Sequence, residues 1–304
     1  MNYQPKILVV GSFVMDLIVG TERFPAAGET VLGTFFHTAT GGKGANQAVQ
    51  AARLGAAVTM VGKVGQDDFG RQLIAAAAEA GVDTSHVLTS TTAPSAIGNI
   101  QIETKDGKTN NRICVVPGAN MELTPADIDF LKEEIGAFDM VILQLEIPMD
   151  VNVAVAKYAA AKGVPVMLNT APFAPLPDEL IPLLSYVSPN EHEARLMSGV
   201  EVVDEQSARK AIAKITAMGI DHVIITLGSR GAMLDGDFYP AVSGVTAVDP
   251  TAAGDSFVAA FCTALCGGKA PADAMAFANK TAAITVTKMG AMPSLPTLKE
   301  VEGE

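Results

Sequence analysis

The stretch from Asp249 to Phe257 combines residue types that could bind an anion and accept a proton. It reads Asp-Pro-Thr-Ala-Ala-Gly-Asp-Ser-Phe and leads into small and apolar residues typical of a buried helix. The start of a helix presents free backbone N–H groups and the positive end of the helix dipole, which favours phosphates. Asp255, in the first predicted turn, would repel a phosphate, so its carboxylate suits a base for the attacking group. The alternative is that Asp255 or Thr251 only caps the helix.

A second glycine-rich stretch covers residues 41–48 and reads Gly-Gly-Lys-Gly-Ala-Asn-Gln-Ala. It leads into helix-forming residues that end at Gly55, and its glycines allow a ligand to approach the backbone closely. Lys43 and Asn46 would offer hydrogen-bond donors to sugar hydroxyls at the start of that helix. The Gly-x-x-x-x-Gly-Lys-Ser/Thr spacing of a Walker A loop occurs nowhere in the sequence. A plain glycine-rich turn is the alternative interpretation.

The elements that must position these stretches are indicated by the alternation of apolar runs and helical segments. Strand-length apolar runs separated by helices of about 10–15 residues indicate βαβ units and a largely parallel sheet. The last predicted strand, residues 244–248, leads directly into the Asp249 stretch. Polar residues follow the predicted strands at these positions: Asp16, Glu146, Asn169, Asn190, Thr226 and Asp249. Because such sheets bind ligands at the carboxyl ends of their strands, these side chains are expected along one edge.

Two segments, at about 17–40 and 96–116, interrupt this rhythm with β-like alternation and turn residues. We expect a strand at residues 30–36 in the first and a hairpin around Lys105–Lys108 in the second. The predicted fold is therefore a three-layer α/β/α, Rossmann-like core with a mostly parallel sheet, plus a small β-sheet lid formed by two insertions. The whole of residues 1–304 is predicted to be a single domain.

The predicted lid also suggests an oligomer. A sheet this small is marginal alone and would expose apolar residues such as Phe35, Ile100 and Ile102. A homodimer through the lid would cover them.

Composition limits the classes of partner. The chain has 304 residues, 49% of them hydrophobic, with 21 basic and 33 acidic side chains and a net charge of −12. Such an acidic protein is a poor candidate for binding nucleic acid or an anionic membrane, although a local anion site remains possible. The sequence shows no secretory signal and no uncharged apolar run of about 18 residues, so we expect a cytoplasmic protein. Three cysteines and four histidines without metal-site spacing argue against a structural metal.

The two glycine-rich stretches, in this order and context, closely resemble the two signatures of the ribokinase-like (PfkB-type) carbohydrate kinases. The resemblance covers essentially the whole chain. It implies transfer of the γ-phosphoryl group of ATP to the primary hydroxyl of a pentose, in the first place ribose, with Mg²⁺ as cofactor. Asp255 would be the general base, and the backbone N–H groups of Ala252, Ala253 and Gly254 would form the anion hole. A non-catalytic sugar- or nucleotide-binding regulator is the remote alternative.

The same resemblance implies further site residues. Positions matching the family's sugar contacts are Val14, Asp16, Gly42, Lys43, Asn46, Glu146 and Asp255. Positions matching its nucleotide contacts are Asn190, Thr226, Leu227, Gly228, Ser229, Arg230, Gly231, Gly254 and Asn279. Glu193 completes an Asn-x-x-Glu motif tied to phosphate and indirectly to Mg²⁺. Residues aligned with a monovalent-cation loop, whose usual occupant is K⁺ as an activator, are Asp249, Thr251, Thr285, Lys288, Gly290 and Ser294.

One position departs from the family pattern. Ribokinases typically carry Asn two residues before the aspartate that is Asp16 here, and this chain has Val14. An apolar side chain cannot pair a buried sugar hydroxyl, and a lost pairing costs about 1–3 kcal/mol. Val14 would favour a sugar without that hydroxyl, such as 2-deoxyribose, unless it points elsewhere or water serves the hydroxyl. A hexose or a nucleoside is a further alternative substrate.

Overall fold

Strands and helices alternate along most of the chain in the computed structural model, which describes residues 3–105 and 108–303. The strands are β1 (Lys6–Val10), β2 (Val14–Thr21), β3 (Phe35–Gly41), β4 (Ala57–Gly65), β5 (Asp83–Ser90), β6 (Ile97–Lys105), β7 (Lys108–Val116), β8 (Met140–Leu143), β9 (Val166–Leu168), β10 (Tyr186–Val187), β11 (His222–Thr226), β12 (Gly231–Leu234) and β13 (Asp237–Pro240). The helices are α1 (Lys43–Arg53), α2 (Asp68–Glu79), α3 (Leu131–Glu134), α4 (Met149–Lys162), α5 (Glu191–Ser198), α6 (Glu205–Thr216), α7 (Ala253–Cys266), α8 (Pro271–Thr285) and α9 (Leu298–Glu302).

The large sheet has the strand order β13-β12-β11-β10-β9-β8-β1-β4-β5. Its pairs from β11 to β5 are parallel, and the β12–β13 hairpin adds an antiparallel edge. Central strands such as β1 are continuous apolar runs because both of their faces are covered. The prediction of a mostly parallel α/β sheet is confirmed.

Helices cover both faces of this sheet, as a three-layer fold requires. Along β1, Ile7 and Val9 pack with buried residues of α1, α2, α7 and α8. Their neighbours Leu8 and Val10 pack with buried residues of α4, α5 and α6 on the opposite face. This two-residue alternation places the starts of α1 and α7 on the same side of the sheet.

A separate four-stranded sheet, which we call the lid, has the order β3-β2-β6-β7. β2 pairs antiparallel with β3 and parallel with β6, while β6 and β7 form the predicted hairpin. Residues 106–107 of the predicted turn lie outside the described residues. The strand expected at residues 30–36 was placed too early in the sequence. The observed strand, β3, begins only at Phe35 and continues to Gly41, where it pairs with β2.

Several local predictions were wrong. Residues 244–248 form turns and exposed chain rather than a strand, since Val245 and Val248 do not face the core. The sequence before β8 favours one helix near 124–135, but the structure has a 3₁₀ turn at Pro125–Ile128, a break at residues 129–130, the short α3 and a second 3₁₀ turn at Ile135–Ala137. Helix α5 and the β12–β13 hairpin were not anticipated.

Candidate active site

A cavity of about 220 Å³ lies at the carboxyl ends of β9, β10 and β11. Three groups of residues line it. Asn169, Asn190 and Thr226 come from these strand ends, Lys43 from the start of α1, and Ala252, Gly254 and Asp255 from the start of α7. The expected gathering of polar side chains at one sheet edge therefore holds for these strands.

The start of α7 presents its first turn to this cavity. Ala252, which precedes the helix, has a left-handed backbone with φ 61°, and this sharp turn leads the chain into α7. The Ala253 N–H donates to the Pro250 carbonyl over 3.2 Å, a long hydrogen bond. No side chain caps this helix, so the interpretation of Asp255 or Thr251 as a mere cap was wrong.

Asp255 is only 5% exposed, and each of its carboxylate oxygens accepts a hydrogen bond from α1. Asn46 Nδ2 donates to Asp255 Oδ2 over 2.9 Å. Gln47 Nε2 donates to Asp255 Oδ1, also over 2.9 Å. Sequence reasoning missed Gln47, although its place beside Asn46 in the first glycine-rich stretch was the available signal.

Two glycines allow the start of α1 to lie against residues 11–14, where the chain passes from β1 to β2. Gly42 has φ 96°, a left-handed backbone that favours glycine, and a Cβ there would meet the Val14 backbone nitrogen at 2.7 Å. A Cβ at Gly44 would meet the Ser12 backbone nitrogen at 2.5 Å. The close approach brings Lys43, Asn46 and Gln47 to the cavity side of the core.

Glu146, which follows β8, is fixed next to the start of α1. Its Oε2 accepts a hydrogen bond from the Ser12 hydroxyl and another from the Lys43 backbone N–H over 3.0 Å. Burial of the Lys43 ammonium opposes its charge, but the carboxylates of Asp255, Glu146 and Glu193 outweigh it and raise the pKa of Lys43. Lys43 is therefore a stable cation close to these three carboxylates.

Asp16 does not directly follow β1, as the sequence suggested, but lies within lid strand β2. Burial, with smaller contributions from the Glu146 and Asp249 carboxylates, raises the pKa of Asp16 to about 7. A Cβ at Gly98 of β6 would sit 2.4 Å from Asp16 Oδ1 and 3.7 Å from Val14 Cγ1. Val14, 5% exposed, and Asp16 thus lie beside the same glycine on one face of the lid.

Asn190 and Glu193 form a closed hydrogen-bonded unit at the start of α5. The Asn190 side chain accepts from the Glu193 N–H and donates to Glu193 Oε1, and the Asn190 N–H donates to Glu193 Oε2. The Thr170 hydroxyl donates to the same Oε2 over 3.0 Å. Glu193 therefore holds Asn190 in place at the cavity wall, a capping box that the Asn-x-x-Glu spacing could have predicted.

The remaining predicted nucleotide residues lie around the end of β11. Thr226 forms an isolated parallel β-bridge with Asn190. Gly228, Ser229 and Arg230 form a 3₁₀ turn between Leu227 and Gly231. The Arg230 guanidinium is engaged by Glu191 and the Val203 carbonyl. Asn279 of α8 donates to the Tyr239 and Pro240 carbonyls, so it fixes the end of β13.

The predicted monovalent-cation residues are brought together only in part. Asp249 accepts from the Thr251 N–H and hydroxyl through Oδ1 and from the Gly290 N–H through Oδ2, so it joins the two loops. Lys288 is turned to Glu300 in an ion pair. Thr285 and Ser294 donate their hydroxyls to Ser256 and the Ala291 carbonyl.

The cavity offers oxygen atoms of the kind that suit Mg²⁺. Mg²⁺ keeps several waters and is usually held by one or two carboxylates together with substrate phosphates. Asp255, Glu193 and the Ser188 hydroxyl face the cavity, and among the described residues Ser188 Oγ has no hydrogen-bond partner. Because both Glu193 oxygens already accept hydrogen bonds, the residues fit a metal held mainly through nucleotide phosphates and water. In the described part of the chain, His, Cys, Asp and Glu form no cluster of a dedicated metal site.

Comparison with known proteins gives the same family along the whole chain. The family described as pfkB family carbohydrate kinase matches residues 4–298. The chain is 42% identical over 297 residues to a ribokinase of Bacillus subtilis (strain 168), with 98% of each chain covered. It is 32% identical over 298 residues to a deoxyribokinase of Salmonella typhi, covering 97% of this chain and 96% of the relative.

Solved structures of ribokinases are similar to this chain over almost its whole length. The Arabidopsis thaliana ribokinase complexed with ribose and ATP superposes with a TM-score of 0.89 at 33% identity, covering 99% of this chain and 98% of that one. A ribokinase from Thermotoga maritima gives a TM-score of 0.88 at 33% identity, with 99% of each chain covered. Among the described residues, no helix is long and apolar enough to cross a membrane.

Proposed function

Because the chain belongs to the pfkB family of carbohydrate kinases, it is an ATP-dependent sugar kinase, and we propose that it phosphorylates the primary hydroxyl of ribose. The observation that carries the mechanism is the buried Asp255 carboxylate at the start of α7, beside the cavity. The names of relatives such as the Bacillus subtilis ribokinase support ribose as the acceptor.

In the proposed reaction, the O–H bond of the primary hydroxyl breaks and its proton passes to Asp255. The freed oxygen bonds to the γ-phosphorus of ATP. The bond between that phosphorus and the β,γ-bridging oxygen breaks, and ADP leaves with the bridging oxygen. Backbone N–H groups of Ala252 and Gly254, which line the cavity, would stabilise the charge on the moving phosphoryl group, and the Ala253 N–H would join them on leaving the Pro250 carbonyl. The Lys43 ammonium adds a positive charge at the cavity wall.

Two ions would assist this reaction. Kinases of this family use ATP with Mg²⁺, which neutralises phosphate charge when bound; Asn190, oriented by Glu193, would contact the phosphates and the metal's water. A monovalent cation, K⁺, would bind beside the loop joined by Asp249, with backbone carbonyls of residues near Thr285 and Gly290 as ligands. ADP release with and without K⁺ measures this contribution.

We also propose a cytoplasmic homodimer that pairs two lids. The lid exposes Phe35, Ile113 and Val115 on one face and Phe36 on the other, and a second copy would cover these apolar side chains. Ile100 and Ile102, which the sequence also suggested, are only half-buried. Light scattering at micromolar concentration is expected to give twice the monomer mass, and a monomer would contradict the proposal.

A 2-deoxyribose kinase is the second candidate, and Val14 favours it. Val14 lies beside Asp16 on the same lid face, and it has no polar group for a sugar hydroxyl. The Salmonella typhi deoxyribokinase among the relatives shows that the family includes kinases named for this sugar. A direct comparison of ribose and 2-deoxyribose as substrates distinguishes the candidates.

Substitution of the base tests the kinase mechanism. Asp255→Asn keeps the shape of the side chain and can still accept from Gln47, while Asn46 can turn its unpartnered Oδ1 to the new NH₂ group. The amide cannot take a proton, so kcat should fall by about 10²–10⁴-fold. ADP release, measured with a panel of sugars, gives the kcat of the wild type and of Asp255→Asn for each sugar. Turnover of Asp255→Asn near that of the wild type would contradict the mechanism, and no ADP release with any sugar would favour the non-catalytic regulator.

A further inference from the structure

Behind Asp255 lies a chain of buried amide side chains that reaches across the core. Gln47 Nε2 donates to Asp255 Oδ1, and Gln144 Nε2 donates to Gln47 Oε1 over 2.7 Å. Asn152 Nδ2 donates to the backbone carbonyl of Gln144 over 2.8 Å. Gln47, Gln144 and Asn152 are 0% exposed. The chain thus links the start of α7 to α1, the end of β8 and α4.

Gln47 and Asn46 hold Asp255 from different positions. Asn46, which the family resemblance assigns to the sugar, holds Oδ2 and keeps its own Oδ1 without a partner among the described residues. Gln47 holds Oδ1, is 0% exposed against 5% for Asn46, and has its own Oε1 bound by Gln144, so it lies on the core side of the carboxylate. A sugar hydroxyl can therefore replace or join Asn46 without disturbing the Gln47 bond.

The direction of the amide chain follows from the carboxylate. An ionised carboxylate only accepts hydrogen bonds, so Gln47 must turn its NH₂ group to Asp255 and its carbonyl oxygen to Gln144. Gln144 must then turn its own NH₂ group to Gln47. Its Oε1 remains at the far end, and within the described residues it has no donor.

The far end of the chain is tightly enclosed. A Cβ at Gly11 would lie 1.9 Å from Gln144 Oε1, so only glycine leaves room for this amide. A buried acceptor without a donor is unfavourable for folding, and an apolar side chain in place of Gln144 would avoid it. What distinguishes Gln144 from other buried amides with an unpartnered oxygen, such as Gln50, is that its NH₂ group binds the amide that holds Asp255.

We propose that Gln47, oriented by Gln144, is a positioning residue that reserves Asp255 Oδ2 for the proton of the sugar hydroxyl. With Oδ1 occupied by a donor, the proton released as the hydroxyl oxygen bonds to the γ-phosphorus is received at Oδ2. The Gln47 bond also prevents rotation of the carboxylate between substrate binding and proton transfer. This inference rests on the proposed role of Asp255 as the general base.

Gln47→Leu tests the proposal, and Gln50→Leu is the matched control. Gln50 lies on the same helix, is equally buried and has an unpartnered Oε1, but its amide donates to the Pro296 carbonyl rather than to Asp255. We expect Gln47→Leu to lower kcat about 10- to 100-fold, since small misplacements of a catalytic group have effects of this size. The dissociation constants of sugar and nucleotide, measured by calorimetry, should stay within about twofold of the wild type. Gln50→Leu should lower the melting temperature without lowering kcat.

A double substitution tests the chain itself. Gln144→Leu frees the Gln47 amide to rotate, so we expect a smaller loss of kcat, and Gln47→Leu/Gln144→Leu should be no slower than Gln47→Leu alone. Wild-type kcat in Gln47→Leu, equal losses in Gln47→Leu and Gln50→Leu, or multiplying effects in the double variant would overturn the proposal. Asp255→Asn separates the two claims: if it is inactive while Gln47→Leu is fully active, only the positioning role fails.

Discussion

The two ends of the cleft differ in what holds their functional side chains. At the phosphoryl-transfer end, Asp255 is fixed by two amides of α1, and the surrounding residues belong to the core. At the sugar end, Asp16 and Val14 belong to β2 of the lid, a four-stranded sheet with exposed apolar residues. One end is therefore part of the rigid core, and the other depends on a small sheet that a partner or a ligand must cover.

This difference separates the reaction from the choice of substrate. Changes at α1 and α7 should alter kcat equally for every sugar, because each sugar presents the same hydroxyl to Asp255. Changes at the lid should alter KM or the preference between sugars. The Asp255→Asn substitution sets the scale for the first end, and the following predictions address the second.

Gly98→Ala should have the largest effect at the lid. A Cβ there would lie 2.4 Å from Asp16 Oδ1, so the carboxylate must turn away from its present position. Hydrogen bonds to a charged group contribute about 1.5–3 kcal/mol, so the KM for sugar should rise about 10- to 100-fold with a smaller change in kcat. Steady-state kinetics measure both constants.

The control for this substitution is Gly136→Ala. Its Cβ would meet only Lys162 Cβ at 3.6 Å, an ordinary contact far from the cleft, so the kinetics should not change. An unchanged sugar KM in Gly98→Ala would mean that Asp16 does not bind the sugar in its present orientation.

Val14→Asn should change the preference between sugars. The new amide would lie beside Asp16 and could pair a hydroxyl that Val14 leaves unpaired, so the ratio of kcat/KM for ribose to that for 2-deoxyribose should rise about 5- to 100-fold. Val14→Ala, which adds no polar group, should leave the ratio near its wild-type value. If Val14→Asn leaves the ratio unchanged, Val14 does not decide the sugar.

The same contrast appears in what the sequence could predict. The parallel sheet and a helix after the Asp249 stretch follow from local patterns of strand-length apolar runs and helix formers, and both were predicted. The strand expected at residues 244–248 was wrong, because Val245 and Val248 look β-like but find no neighbouring strand. Pairing with a distant segment, which decides whether such a run becomes a strand, is invisible in local sequence.

Side-chain partners across the core were also beyond the sequence. Asp255 and Gln47 are separated by more than two hundred positions, |i−j| = 208, and nothing in their spacing shows that they meet. The role of Gly98 was hidden for the same reason, since only the register of β2 with β6 places it against Asp16. Glycine-rich stretches indicated where the chemistry lies, whereas the side chains that orient it required the fold.

The smallest predicted effect is the pH dependence of sugar binding, which comes from Asp16. Burial first, then the Glu146 and Asp249 carboxylates, raise the pKa of Asp16 to about 7, so the group loses its proton as the pH rises through neutrality. The ionised carboxylate is the stronger acceptor for sugar hydroxyls. The KM for sugar should therefore fall a few-fold from about pH 6 to about pH 8, with its midpoint near that pKa.

Asp16→Asn should remove this dependence of the sugar KM on pH. Glu146→Gln should move the midpoint to lower pH, because it removes one negative charge that repels the Asp16 carboxylate. A midpoint that stays in place in Asp16→Asn would assign the titration to another group and would remove Asp16 from the sugar end of the cleft.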